Sequence, residues 1–213
     1  MPLPRFLKLD PADRAPILDA ATREFAEHGF EGASQNRIIE ASGISKGAMY
    51  YYFADKADLY GTVVDRAVAQ MLEAIGPLDP FDDAPSFWAA CEAYVERATM
   101  VAFGMPELAR LAKHVYRNEA GVLDALAARA AAYVEQVLAR GQRVGAVRTD
   151  VPLPLLTQAS MGLLMALDRW FADNLSTTPP DELAALGPKS IELCRDLLSP
   201  KPRPNPKQKG KES

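Results

Sequence analysis

The segment Gly43-Ile44-Ser45-Lys46-Gly47-Ala48-Met49-Tyr50-Tyr51-Tyr52-Phe53 holds the densest chemistry in the chain. Lys46, Gly47 and Ala48 stand at the start of a helix, where unpaired N–H groups and the helix dipole favour phosphate and small side chains allow close approach. Tyr50, Tyr51 and Tyr52 are consecutive, and helix neighbours lie about 100° apart, so the three cannot share one core-facing side. At least one phenol is therefore exposed, and an exposed phenol donates well to a phosphate oxygen. Taken alone, the three tyrosines are equally compatible with an aromatic helix end packed into a core.

The turn also spells G-x-S-x-G, the nucleophile elbow of serine hydrolases, which requires a preceding strand and a suitably placed acid and histidine. A helix precedes it here, and His114 is the single histidine after Ser45. The two histidines, His28 and His114, are too few for a histidine-rich metal site. Cys91 and Cys194 lie far apart without partners at metal-ligand spacing, which argues against zinc and against a disulfide framework. Both read as small buried hydrophobes. No acid–base constellation appears, so the chain is not expected to be an enzyme, and it implies no metal and no cofactor.

The chain has 213 residues, 24 Lys plus Arg against 28 Asp plus Glu, and 48% hydrophobic residues. That balance excludes disorder over most of its length. A net charge of −4 gives no global attraction for nucleic acid, so any such binding rests on a local arrangement. Residues 1–60 carry 7 basic and 9 acidic side chains, yet within 33–56 Arg37, Lys46 and Lys56 face only Glu40 and Asp55. The best apolar run, 161–167, stops at Asp168, short of the roughly 20 residues that cross a bilayer. No secretory signal is visible at the amino terminus, and a cytoplasmic location is the default expectation.

Strand signals are almost absent, while Ala, Leu and Glu recur at helical spacing, which predicts an all-α protein. Asp10-Pro11 opens a helix over about 11–28, ended by Gly29. Ser34 caps a short second helix stopped by Ser42-Gly43, Ser45 caps a third over 46–53, and Asp55 caps a fourth that runs to Gly76-Pro77. Two short helices joined by Ser42-Gly43-Ile44-Ser45, with Ile38, Ile44, Met49 and Phe53 apolar, have the geometry of a helix-turn-helix whose second helix enters a major groove. Longer helices follow at about 86–103, 106–117, 119–143, 153–174 and 180–198. The expected division is 1–54 for the helix-turn-helix domain, a connecting helix over 55–76, a larger helical domain over 77–199, and a disordered basic tail over 200–213.

Gly43 to Phe53, followed by Asp55-Lys56 and Asp58-Leu59 and preceded by Phe25, Gly29 and Phe30, resembles the signature of TetR-family transcriptional regulators over about residues 12–60. The resemblance implies that Tyr50, Tyr52 and Lys56 contact phosphate and that Lys46 and Ala48 lead the recognition helix. Ser34, Gln35, Asn36 and Arg37 stand where that family contacts DNA from the start of its second helix. Gly47 and Tyr51 complete the expected DNA-facing set. Tyr52 replaces the family's frequent histidine, and Ile39 its more usual alanine.

In the larger region Trp88, Tyr94, Met100, Phe103, Met105, His114, Tyr116, Tyr133, Met161 and Met165, with Trp170 and Phe171, are candidates to line an apolar ligand cavity. Singly, each is as well explained by core packing. Asp168-Arg169 reads as a pair across a dimer seam or as a solvent-facing step, not as a ligand contact. Leu156, Ser160, Leu163, Leu167 and Trp170, and Leu183, Leu186, Ser190, Leu193 and Leu197, alternate spacings of four and three, a helix-packing seam. The resemblance implies that the last two helices form a four-helix dimer interface, with Leu156, Leu163, Leu167, Trp170, Leu186, Leu193 and Leu197 across it. A homodimer would suit a palindrome read at two points about 34 Å apart. The expected function is thus a ligand-responsive regulator, a repressor, binding double-stranded palindromic operator DNA and released by a small apolar effector, with no membrane partner. The alternative is a helical small-molecule or lipid carrier that does not touch DNA.

Overall fold

The computed structural model describes residues 2–117, 121–175 and 177–201. Ten α-helices and no strand occur among them: α1 (Pro4–Leu7), α2 (Pro11–Gly32), α3 (Gln35–Ser42), α4 (Lys46–Tyr52), α5 (Lys56–Ile75), α6 (Ala84–Gly104), α7 (Pro106–Val115), α8 (Val122–Arg143), α9 (Leu153–Asn174) and α10 (Pro180–Leu198). Beyond Lys201 the expected basic tail lies outside the described residues, as does the expected start of α8 at 119.

Helix α1 has no counterpart in the sequence reading, because four residues are too few to show a period. Phe6 anchors it, fully buried at ring-centroid distances of 4.6 Å from Phe53 and 5.9 Å from Tyr52, and Leu3 N–H donates to the Tyr52 carbonyl at 3.0 Å. Asp10 occupies the N-cap of α2, but its side chain makes no capping bond; its carbonyl accepts from Asp13 and Arg14 instead. At Gly29 the backbone of α2 leaves helical geometry with φ 66°, a conformation that glycine adopts without a Cβ penalty, and helical turns resume to Gly32.

Two cores organise the chain. The first joins α1 to α5 around Phe25, Ile38, Met49, Phe53, Leu59 and Tyr60, and reaches Leu111 and Val115 of α7. Packing is therefore continuous across the expected boundary at 76/77. The second lies among α6, α8, α9 and α10 around Phe87, Trp88, Leu138, Leu156 and Ile191. Here α8 passes so close to its neighbours that a Cβ on Gly141 would stand 2.6 Å from Val147 Cγ2 and 2.9 Å from Phe87 Cε2. Helix α5 bridges the regions through ion pairs at both faces, Arg66 to Asp19 of α2 at 2.6 Å and Arg129 of α8 to Asp65 at 2.8 Å. Arg97 of α6 fastens the α5–α6 loop, donating to the Ile75 and Pro77 carbonyls and to Asp79 at 2.9–3.0 Å.

Candidate nucleic-acid interface and ligand domain

Gly43 ends α3 in the left-handed conformation, φ 71°, and its N–H closes onto the Ile39 and Glu40 carbonyls. The chain re-enters a helix two residues later at Ser45, whose Oγ accepts from Ala48 N–H at 3.1 Å. Met49, fully buried, locks α4 onto the first core. That lock turns Lys46, Gly47, Tyr50 and Tyr51 outward, with Tyr50 50% and Tyr51 51% exposed. A Cβ at Gly47 would meet nothing closer than Ser45 Oγ at 3.8 Å, so the fold itself does not require glycine there.

The other DNA-facing candidates divide. Tyr52 is half-buried, edge-on to Phe6 and Tyr51, while Ala48 is half-buried beside the cap. Asn36 is exposed; Ser34 and Gln35 are half-buried, and Ser34 caps α3 through Arg37 N–H. Arg37 is committed to the α2–α3 corner, its Nε donating to Glu24 at 2.9 and 3.1 Å and its Nη2 to the Gly32 carbonyl at 3.0 Å. Burial alone would push the Glu24 carboxyl up; the Arg37 hydrogen bond, the Ser34 amide and the Arg37 charge together hold it below its ordinary value. Lys56 donates to the Glu31 and Ala33 carbonyls at 3.2 and 3.3 Å and stands 4.7 Å above the Phe30 ring. Its ammonium thus satisfies the end of α2 and retains one of three donors. Arg5, absent from the sequence-based set, lies 4.3 Å over the Tyr51 ring. Nothing in the sequence around Arg5 signalled this, because its placement depends on the Phe6 anchor.

In the larger region Trp88 is buried within the second core, and the Arg195 guanidinium covers its ring at 5.0 Å. Met100 is 68% exposed, Tyr133 is exposed, and Tyr94, Phe103, Met105, His114, Tyr116, Met161 and Met165 are half-buried. Met105 alone of these lines an open cleft of about 730 Å³, whose walls include Asp19, Arg66, Glu73 and Glu107. Charged side chains thus stand beside apolar ones, such as Met105 and Leu108, in the wall of that cleft. Of the dimer candidates, Leu156 is 2% exposed and packs inside the second core of its own chain. Leu163, Leu167, Leu186 and Leu197 are half-buried, whereas Trp170 and Leu193 are exposed.

Asp168 is exposed, in keeping with the solvent-facing reading. Its Oδ2 accepts from the Tyr116 hydroxyl at 3.1 Å, so it turns toward the end of α7. Burial pushes the Tyr116 hydroxyl well up, and the Asp168 charge and hydrogen bond add to that. Cys91 and Cys194 are half-buried free thiols; burial raises both, Cys91 to about 11, so each stays protonated at neutral pH. Among the described residues no cluster of three or more His, Cys, Asp or Glu is placed to hold a metal, and no helix is long and apolar enough to cross a membrane.

A short, serine-capped helix pair presenting phenols, joined to a longer helical bundle, defines a helix-turn-helix protein with an appended all-helical domain. A family model described as bacterial regulatory proteins, tetR family, matches residues 17–63. A helix-turn-helix-type transcriptional repressor of Streptomyces coelicolor is 30% identical over 162 residues, 75% of this chain and 78% of that protein. The chain belongs to the TetR family of bacterial regulatory proteins. The repressor AcnR of Corynebacterium glutamicum is 44% identical over 62 residues, 29% of this chain, which spans 33% of that repressor's length. Among solved structures, the fatty acid degradation regulator FadR of Bacillus halodurans superposes with TM-score 0.67 at 19% identity, covering 88% of this chain and 96% of that one. FadR of Bacillus subtilis in complex with stearoyl-CoA gives TM-score 0.66 at 18% identity, covering 84% and 96%. At such identity the likeness is one of fold.

Proposed function

We propose that this chain is a ligand-responsive transcriptional repressor that acts in the cytoplasm as a homodimer on palindromic operator DNA. The observation that carries the reading is α4, which buries Met49 completely while leaving Tyr50, Tyr51 and Lys46 facing outward. In the major groove Lys46, Gly47 and Ala48 would lead, and the phenols of Tyr50, Tyr51 and Tyr52 would donate to phosphates. Arg37 and Lys56 would serve chiefly as positioning residues, since both are bonded within the corner that orients α3 and α4. Dimerisation through α9 and α10 would use the exposed Trp170 and Leu193 with Leu163, Leu167, Leu186 and Leu197. The repressors named above support the repressor role, and a fold neighbour in complex with stearoyl-CoA supports a ligand role for the larger domain. The ligand would act by favouring a conformer whose two reading heads are misplaced for the groove, and operator DNA must then weaken ligand binding by the same factor.

Selection of bound duplexes from a random DNA library tests this, with wild type and Tyr50→Ala compared at moderate salt without added ligand. Enrichment of a palindrome by wild type, and its loss by at least tenfold for Tyr50→Ala with the fold intact, is the expected result. Failure of the folded wild-type protein to enrich any sequence would overturn the repressor reading in favour of a carrier.

A further inference from the structure

We propose that the DNA-facing surface extends past the helix-turn-helix to α1, and that Arg5, held over the Tyr51 ring, contacts a backbone phosphate of the bound duplex. This rests on the repressor reading above and adds to it a segment that precedes residue 17, where the family match begins.

The packing of α1 gives the first argument. Four residues are far too few to form a stable helix alone, so α1 stands where its contacts put it. Phe6 is buried at 4.6 Å from the Phe53 ring and 5.9 Å from the Tyr52 ring, and Leu3 N–H donates to the Tyr52 carbonyl at 3.0 Å. Tyr52 lies edge-on to Tyr51 at 5.6 Å, and the Arg5 guanidinium stands 4.3 Å over the Tyr51 ring. Together these contacts fasten α1 to the end of α4, the helix assigned to the groove.

Direction gives the second. At about 100° per residue, Tyr51 points about 160° away from the buried Met49, near the middle of the outward face of α4. Lys46, the one cation within α4, lies about 140° from Tyr51 to one side, and Tyr52, on which α1 packs, about 100° to the other. α1 therefore brings a positive charge to the flank that α4 itself leaves without one. A helix in a major groove has a phosphate backbone along each wall, and a cation on its flank meets that wall before it meets base edges.

The state of the other cations gives the third. Arg37 is bonded to Glu24 and Gly32, and Lys56 to Glu31 and Ala33, all within the corner that orients the turn. Arg5 is exposed, and among the described residues its side-chain N–H groups donate no hydrogen bond and form no ion pair. A ring attracts a guanidinium through its π-face and uses up none of its N–H donors, so the planar fork that matches a phosphate bidentately stays open. Residues 1–9 contain Arg5 and Lys8 and no acid, so nothing on this segment repels a phosphate. In a head whose first 60 residues are net acidic, such a contact adds local charge where the total supplies none.

The test uses the full-length protein, the palindromic duplex that wild type enriches from a random library, and a shuffled duplex of the same base composition. Affinity is read by fluorescence anisotropy of the labelled duplex across a KCl series. Arg5→Met keeps an unbranched side chain over Tyr51 and removes the charge. It is expected to bind both duplexes about tenfold more weakly and to make the plot of log K against log salt shallower by about 0.9 for each subunit bound. Arg5→Lys should restore the slope. Lys8→Met removes an exposed charge that no ring holds against α4, and should change the slope less than half as much. Wild-type melting temperatures for all three variants check the fold. An unchanged slope in Arg5→Met overturns the proposal whatever the affinity, because the arginine would then only orient Tyr51. A loss confined to the palindrome, or an equal effect of Lys8→Met, overturns it too. In each of these cases wild-type binding leaves the repressor reading standing. If wild type enriches no duplex, both fall together.

Discussion

The helices around the turn and most of those of the larger bundle, α6 with its Asp83 cap excepted, begin in different ways. α3, α4 and α5 each start at a residue whose side chain accepts a backbone N–H: Ser34 from Arg37, Ser45 from Ala48, Asp55 from Asp58. α7, α8, α9 and α10 have no such cap, and three of them carry proline within their first two residues. Length accounts for part of the contrast; α6, at 21 residues, is capped reciprocally by Asp83 and Ser86, and α7, at 10 residues, has no side-chain cap. At 8 and 7 residues, α3 and α4 fall below the roughly 12–15 residues at which a helix approaches stability alone, so local bonds must define their ends. α8 and α9, at 22 residues each, can be held by the faces they bury. The short helices of the reading end are thus specified by local bonds, while most of the bundle is specified by packing.

Truncating a methionine in each region, one fully buried and one half-buried, gives the largest expected effect. Met49→Ala should destabilise by about 2–5 kcal/mol in urea unfolding. Met161→Ala, at a half-buried position, should cost clearly less; equal losses would erase the distinction. Gly141→Ala should follow at about 1–3 kcal/mol, because its Cβ would overlap Val147 and Phe87. If Gly141→Ala were neutral, the bundle would be looser than its contacts imply. Ser45→Ala should lower stability by about 1 kcal/mol and weaken DNA binding with it, measured by thermal unfolding and by operator titration.

Two carboxylates with opposite shifts provide the finest test. Glu24 is held low, so its contribution is present above the unfolded carboxyl value and is lost as pH falls through the folded one; Arg37→Met should flatten that dependence. Asp168 is pushed up by burial, so its penalty is absent in acid and grows as pH rises through its folded value. Asp168→Asn should therefore gain stability over wild type as pH rises. A pH series of melting temperatures for the two variants reads both signs.

The same contrast governs how far the sequence could be read. Ser34, Gly43, Ser45, Asp55 and the apolar set of Ile38, Met49 and Phe53 act within a few residues of themselves, and their bonds appear as the spacing predicts. Helix α1 was invisible because Phe6 acts on Tyr52 and Phe53, far along the chain. Arg37 and Lys56 match positions where DNA contact was expected, yet their partners, Glu24 and the carbonyls at the end of α2, are set by the tertiary corner. In the bundle, periodicity gave α9 and α10 as helices but could not tell which turn of a leucine stripe faces inward. Leu156 is swallowed by the second core while Leu193 stays outside. The bond from Tyr116 to Asp168 was invisible for the same reason, since it depends on where Tyr116 falls.

Arg97 makes the α5–α6 junction a fastened pivot, and that has a mechanical consequence. A helix of the length of α5 extends about 30 Å at about 1.5 Å per residue, so a tilt of about 5° around its Arg97-bound end displaces the far end by roughly 2.6 Å. That far end begins at Lys56 and Asp55, beside the phenols of α4. Under the proposed function, such a clamp would turn a small angular change within the bundle into a translation at the reading end, with a gain set by the number of residues in one helix.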